Sequence, residues 1–248
     1  EMLRSLVGSE MCIRDSLCEE LEVPFERSGT LILATNEKDM EEVHRLHEKG
    51  EANGVPTIVM DRSALLERWP TMGEGAVGAL FCPSGGIVCP YTLVIAMCEN
   101  AARNGVEFFL NTEVSEIAPL NGGWHLTTKD GQAFDTRIVL NCAGTHADQL
   151  NNMVSTDRFK ILPRFGAHLI MDREYIKWVD TTITQTPTTL PTGGHTKGMG
   201  IMPSVDGTVI LGCDAVDYTD PDDVATTSKS IDAIVDYFKT FWKYLPIS

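Results

Sequence analysis

Between Cys89 and Val154 the order of local signals leaves few folds open. Pro90 suits the first turn of a helix, where its missing N–H has no partner to lose. Leu93, Val94, Met97, Cys98, Ala101 and Ala102 then make an apolar stripe at helical spacing. Asn104-Gly105 ends that helix, and Val106–Leu110 reads as a strand. Asn121-Gly122 joins a strand over Val114–Leu120 to one over Trp124–Thr128, and Asp130-Gly131 joins the latter to Ala133–Asp135. Both dipeptides favour tight hairpins because they accept a positive φ at little cost. Arg137–Cys142 is an apolar strand that delivers Ala143-Gly144 to a further helix, with Thr145 as its expected cap and Asp148 at the third position. The pattern is a three-stranded meander set between two further strands, within a mixed α/β chain. A glycine at the last junction lets a ligand approach the backbone, and a helix N-terminus favours negative charge. An ordinary strand-to-helix turn would look the same.

The flanking segments read differently. Gly29–Ala34 is a buried strand, and Asn36 with Asp39 opens a helix carrying Met40, Val43 and Leu46 that stops at Asn53-Gly54. Val55–Met60 is extended, and Asp61 caps a short helix that must end before Pro70. Gly78–Phe81 is a strand, followed by a turn over Pro83–Gly86. Beyond Lys160, Gly166–Met171, Thr181–Gln185, Gly198–Met202 and Thr208–Leu211 alternate with turn residues, as in an antiparallel sheet. A closing helix puts Ile231, Ile234, Val235, Phe238, Phe241 and Trp242 on one face.

Composition removes several classes. The 248 residues are 43% hydrophobic, enough for one large or two small domains with a sizeable core. A formal charge of −15 argues against a nucleic-acid backbone or an anionic membrane surface as the main partner. No apolar run approaches the ~18 residues of a spanning helix. Seven cysteines without a C-x-x-C exclude a zinc ribbon and an iron–sulfur run, and most are expected to be small buried thiols. A reducing, cytoplasmic compartment follows, with peripheral membrane association left open. Glu1–Ser16 has no regular period, resembles a leader that recurs in metagenomic translations, and is set aside from the fold as non-native.

Other constellations are weak. His44 and His47 lie one turn apart, but no third ligand is evident, so no metal site is expected. Asp217, Asp220, Asp222 and Asp223 lack calcium-loop spacing and read as a solvated acidic loop. Gly193–Gly198 lacks the Lys-Ser/Thr of a P-loop, and no G-x-S-x-G occurs.

Longer stretches carry a resemblance. Leu17–Leu31, Gly78-Ala-Leu-Phe-Cys-Pro-Ser-Gly-Gly-Ile-Val-Cys-Pro-Tyr91, Asn104-Gly-Val-Glu-Phe, Thr112-Glu-Val114, Asn141-Cys-Ala-Gly144, Asp148, Pro163-Arg-Phe-Gly166 and Lys197–Gly207 follow one another in family order. From Leu17 onward the chain resembles the FAD-dependent glycerol-3-phosphate dehydrogenases and L-2-hydroxyglutarate oxidases of the D-amino-acid-oxidase-like superfamily. The resemblance implies a partial FAD-binding Rossmann-like domain over residues 89–159. It implies an antiparallel-sheet substrate domain in two parts, residues 17–88 and 160–226, and a C-terminal helix over 227–248 that leads back to the FAD domain. It implies FAD as cofactor, with Glu113 and Val114 at the adenine and Cys142, Ala143, Gly144 and Asp148 beside the cofactor. It also implies hydride transfer from the CH–OH of a small anionic substrate to the flavin, with a quinone or oxygen as the eventual electron acceptor. Arg164 offers a bidentate fork for a carboxylate or phosphate, although a surface ion pair would explain it equally; His168 and Lys197 could also face the substrate, and each could as easily point to solvent.

The departures are specific. The family's opening strand with G-x-G-x-x-G is not written here, and Gly198-Met-Gly200 runs instead into Pro203. Ala167 and His168 stand where the family usually has Glu and an aromatic. The chain is therefore expected to be the middle of a longer enzyme, inactive alone. An amine or amino-acid oxidase of the same superfamily, or a purely binding module, stays open.

Overall fold

Thr30–Ala34 (β2) is the strand on which the larger part of the molecule is organised, and its alternation shows why. Ile32 and Ala34 turn to one side and Leu31 and Leu33 to the other, and all but Ile32 are buried. The computed structural model describes residues 15–70, 72–186, 199–217, 220 and 222–239. The chain divides into two units. The larger comprises Glu1–Ala101, Gly166–Ala215 and Thr226–Ser248; the smaller comprises Ala102–Phe165 and Val216–Ala225.

In the larger unit, a helix over residues 15–20 (α1) leads to Phe25–Glu26 (β1), which pairs with Ile87–Val88 (β5). The main sheet has seven strands. Their order is His168–Met171 (β10), Val209–Gly212 (β13), Gly200–Pro203 (β12), Thr182–Gln185 (β11), β2, Gly78–Cys82 (β4) and Ile58–Asp61 (β3). All pairs are antiparallel except one: β11 runs parallel to β2, Thr182 opposite Thr30 through Gln185 opposite Leu33. This departs from a purely antiparallel sheet. A parallel pair needs a long crossover, and here the whole chain between β2 and β11 supplies it.

Local chemistry sets the helices. Glu37–Ala52 (α2) starts at Asn36, whose side chain accepts from the Asp39 amide. The buried Asp39 carboxylate in turn accepts from Thr35 N at 2.9 Å and Thr35 Oγ1 at 2.7 Å. α2 covers one face of the sheet through Val43, Met40 and Leu46 against Ala34, Ile32, Leu80 and Val59. Arg62–Arg68 (α3) is capped by Asp61 and stops two residues before Pro70. On the other face of β2, Leu31 stands opposite Phe81, whose ring meets Trp69 edge-on at 5.8 Å. Ser228–Lys239 (α6) buries Ile234 and Phe238, and its Tyr237 hydroxyl donates to Gln185 Oε1. Phe241 and Trp242 lie outside the described residues.

The smaller unit is built on the meander of Val114–Leu120 (β6), Gly123–Thr128 (β7) and Ala133–Thr136 (β8). Both expected turns form, with Gly122 at φ +82° and Gly131 at φ +85°. Ala147–Val154 (α5) packs along β6. Arg164–Phe165 (β9) pairs with Val216–Asp217 (β14).

Four expectations need correction. Val106–Leu110 and Arg137–Cys142 are not strands. Their apolar runs look like buried parallel strands, but a strand exists only with a paired neighbour, and among the described residues neither has one. Ile138 is 73% and Leu140 84% exposed. Pro90–Arg103 (α4) forms, yet none of its residues is buried, so its apolar stripe meets no core among the described residues. Thr145 does not cap α5. It sits in a 3-10 turn over Gly144–His146, which Gly144 at φ +56° opens, and this moves the start of α5 to Ala147. Of the six described cysteines only Cys18 is buried, while Cys98, Cys142 and Cys213 are exposed. Apolar sequence neighbours did not guarantee burial.

Candidate functional site

The smaller unit holds a cavity of about 740 Å³, within the range of cofactor sites. The start of β6 brings Val114 and the preceding Glu113 to its wall, the segment after β8 brings Val139–Ala143, and α5 presents Met153 one turn beyond Gln149 and Leu150. Four of the residues expected beside a cofactor, Glu113, Val114, Cys142 and Ala143, therefore share one wall-bounded space.

Gly144 follows directly, and a Cβ built on it meets nothing within 4 Å. Its backbone thus stands open, in a conformation that disfavours any side chain. Asp148 is used otherwise. Its carboxylate accepts from Gln149 N and Ile161 N, each at 2.9 Å, and so ties the chain after α5 back to the start of that helix. Asn141 does similar work, donating to Ala147 O at 2.8 Å.

Polar groups at the cavity come in linked pairs. Lys129 Nζ lies 2.7 Å from Glu113 Oε1. His146 Nε2 lies 3.2 Å from Asp222 Oδ1, and Gln149 Nε2 lies 3.1 Å from His146 Nδ1. Lys129, His146, Gln149 and Asp222 all line the cavity, and sequence reasoning singled out none of them for it. His146 lay visibly beside Ala143-Gly144. Asp222, 76 residues further on, belonged to the supposed solvated loop and carried no local signal.

The substrate candidates separate. Arg164 is in the smaller unit, where its Nε and Nη2 lie 2.9 and 2.8 Å from Asp217 Oδ1 across the β9–β14 pair. His168 is exposed at the start of β10 in the larger unit. Lys197 lies outside the described residues. His47 Nδ1 is 2.7 Å from Thr57 Oγ1, and among the described residues no three His, Cys, Asp or Glu side chains gather as metal ligands. No helix among the described residues is long and apolar enough to cross a membrane.

A family model described as FAD dependent oxidoreductase (DAO) matches residues 3–247. The chain belongs to that family. It is 39% identical over 236 residues to a glycerol 3-phosphate dehydrogenase of Caloramator mitchellensis, a match covering 94% of this chain and 48% of that protein. It is 28% identical to the L-2-hydroxyglutarate dehydrogenase of Escherichia coli strain K12, covering 81% of this chain and 47% of that protein. The fold matches L-alpha-glycerophosphate oxidase from Mycoplasma pneumoniae with FAD bound, at a TM-score of 0.80 and 23% identity, over 89% of this chain and 58% of that one. It also matches L-proline dehydrogenase from P. horikoshii, at 0.83 and 19%, over 96% and 62%. The chain spans about half the length of the curated relatives it matches.

Val114, Leu126, Leu150 and Met153 offer apolar walls for a base, and Glu113 and Asn141 offer polar groups for a ribose; Gly144, next to the lining residue Ala143, has open space where a side chain would stand. This set fits the nucleotide half of the cofactor. Gly144→Val should cost about 1–2 kcal/mol of stability from its left-handed backbone. It should also weaken FAD by more than about tenfold, a loss that strain shared by the free and bound states does not explain. Thermal melts and FAD titration measure the two, and equal losses would make the junction an ordinary turn.

Proposed function

We propose that the chain is part of an FAD-dependent oxidoreductase that oxidises the CH–OH group of a small anionic substrate, such as glycerol 3-phosphate or a 2-hydroxy acid. The observation that carries this reading is the 39% identity to a glycerol 3-phosphate dehydrogenase across nearly the whole chain, together with a cavity that fits a nucleotide. In this reading the smaller unit contributes part of the cofactor-binding domain and the larger unit the substrate domain. FAD, when bound, would supply the two-electron acceptor for a reaction in which the substrate C–OH becomes C=O, the carbon giving up a hydride and the hydroxyl its proton.

The chain's own residues bind and orient. Backbone groups at Glu113-Val114 would meet the adenine, and Ala143-Gly144 would let the cofactor approach the main chain. Arg164, in the smaller unit, is the candidate contact for the substrate anion. Arg164 has an exposed carboxylate partner in Asp217, and such a surface pair contributes only ~0–1 kcal/mol. Its guanidinium can therefore be taken over by a substrate anion at small cost.

The test is a chimera in which this chain replaces the matching segment of the Caloramator mitchellensis enzyme. Anaerobic bleaching of its flavin by glycerol 3-phosphate or L-2-hydroxyglutarate is expected, and bleaching by glycine or proline alone would favour the amino-acid oxidase alternative. In the same chimera Arg164→Ala should lower kcat/KM for the anionic substrate by about 30-fold or more, and Arg164→Lys should recover only part of that loss. Unchanged kcat/KM with full flavin content would leave Arg164 as a surface ion pair.

A further inference from the structure

We propose that the larger unit carries a ligand site of its own, an apolar cavity flanked by two cations that takes a small aliphatic carboxylate. The cavity measures about 30 Å³, room for about two or three atoms of water size. Trp69, at the end of α3, and Trp178, at the end of a 3-10 turn over Arg173–Trp178, stand in its wall with Met72, Met199, Ile183 of β11 and Ile201 of β12. Gln185 and Tyr237 also line it, but the Tyr237 hydroxyl donates to Gln185 Oε1. A wall this apolar holds water poorly, so an alkyl group entering it gains by leaving solvent. The two methionine side chains are flexible enough to shape themselves to that group.

The charge comes in beside the same two tryptophans. Arg68 Cζ lies 4.7 Å from the Trp69 ring centre and 4.5 Å from that of Phe81, and Lys177 Nζ lies 4.3 Å from the Trp178 ring centre. Each cation therefore sits directly against a ring of the cavity wall, and both residues are exposed. In a chain with 35 acidic and 20 basic residues a cation finds an acidic partner easily. Yet among the described residues no carboxylate pairs with Arg68 or Lys177. Asp180, the carboxylate bonded to this wall, accepts instead from Trp69 Nε1 at 2.7 Å and fixes the indole. Stacking holds the Arg68 guanidinium flat and leaves its N–H fork free for a carboxylate. An alkyl tail in the cavity with its acid head at Arg68 and Lys177 satisfies both halves of the site, whereas an alcohol or a bare anion satisfies one. All of these residues belong to the larger unit, and the site does not rest on the flavoenzyme reading.

Titration of the chain with butanoate, 1-butanol and acetate, at one pH and low salt, tests the assignment, with binding followed by ligand-observed NMR and tryptophan fluorescence. Butanoate should bind about tenfold more tightly than acetate, because it buries two more methylene groups, and added salt should weaken it. Arg68→Gln and Lys177→Gln should each weaken butanoate by about 3–10-fold and leave 1-butanol unchanged. Ile201→Phe, which sends a ring into the space, should abolish binding of both ligands, and circular dichroism confirms that each variant is folded. Should that variant unfold, competition on the parent decides, since 1-butanol must displace butanoate if both occupy the cavity. Acetate binding as tightly as butanoate would show that the cavity takes no tail. Butanol binding as tightly as butanoate, or charge variants that weaken the two alike, would show that the cations take no part. No binding of butanoate at all would make the cavity a packing gap. Each of these last results overturns the assignment.

Discussion

Replacing Leu31 by alanine should destabilise the larger unit by about 3–5 kcal/mol, visible as a lower urea midpoint with an unchanged slope. Leu31 is fully buried in β2, the strand that joins the two halves of the seven-stranded sheet. It stands opposite Phe81 on one side and Ile183 on the other. Truncation removes contacts from both, and paired strands on either side leave the backbone little room to collapse into the space. Ile58→Ala is the control: its residue also stands opposite Phe81, on the edge strand β3, but is 52% exposed, so the loss should stay below ~1 kcal/mol. A small effect at Leu31 would mean that β11 does not pack beside β2 in solution.

What the sequence disclosed about this fold was local chemistry. Asn36 and Asp39 are three residues apart, and that spacing alone places the start of α2. Asn121-Gly122 and Asp130-Gly131 likewise determine their hairpins, because few other dipeptides tolerate the required φ. Partner choice was not written in the same way. That β11 lies beside β2, and parallel to it, depends on residues about 150 positions apart, and alternation in each strand is compatible with either direction. Val106–Leu110 and Arg137–Cys142 show the converse limit. An apolar run reports a preference for burial, and it becomes a strand only where a second strand supplies hydrogen-bond partners.

The candidate site divides along the same line. Glu113, Val114, Cys142 and Ala143 were reached by resemblance and lie together at the cavity, so motif order carried real spatial information. Asp148 was reached by the same route, and its carboxylate serves the backbone at Gln149 and Ile161. Lys129 and Asp222 were invisible because each is one of many surface charges in a chain of net charge −15. Only the meander and the return of the chain at β14 bring them to the cavity.

Tyr237 should make the larger unit sensitive to alkali. Its phenol is pushed above the ordinary tyrosine value, first by burial and second by the negative charge of Asp39. A folded-state value raised above the unfolded one means that the native protein holds a proton the unfolded chain releases. The stabilisation is therefore present in full below the unfolded value near 10 and is lost as pH rises toward the folded value. Within that window the contribution of this one group should fall by about 1.4 kcal/mol per pH unit. Tyr237→Phe removes the titrating group together with its donation to Gln185 Oε1. At neutral pH the variant should be less stable by about 1–3 kcal/mol, because the buried Gln185 oxygen loses a donor. Above pH ~10 its stability should fall less steeply than that of the parent, so the two curves converge. Tyr175, raised by its hydrogen bond to Glu174, is present in both proteins and cancels in the difference. Urea unfolding at several pH values between neutrality and strong alkali measures it. Parallel curves across that range would show that the Tyr237 phenol is not buried beside Asp39.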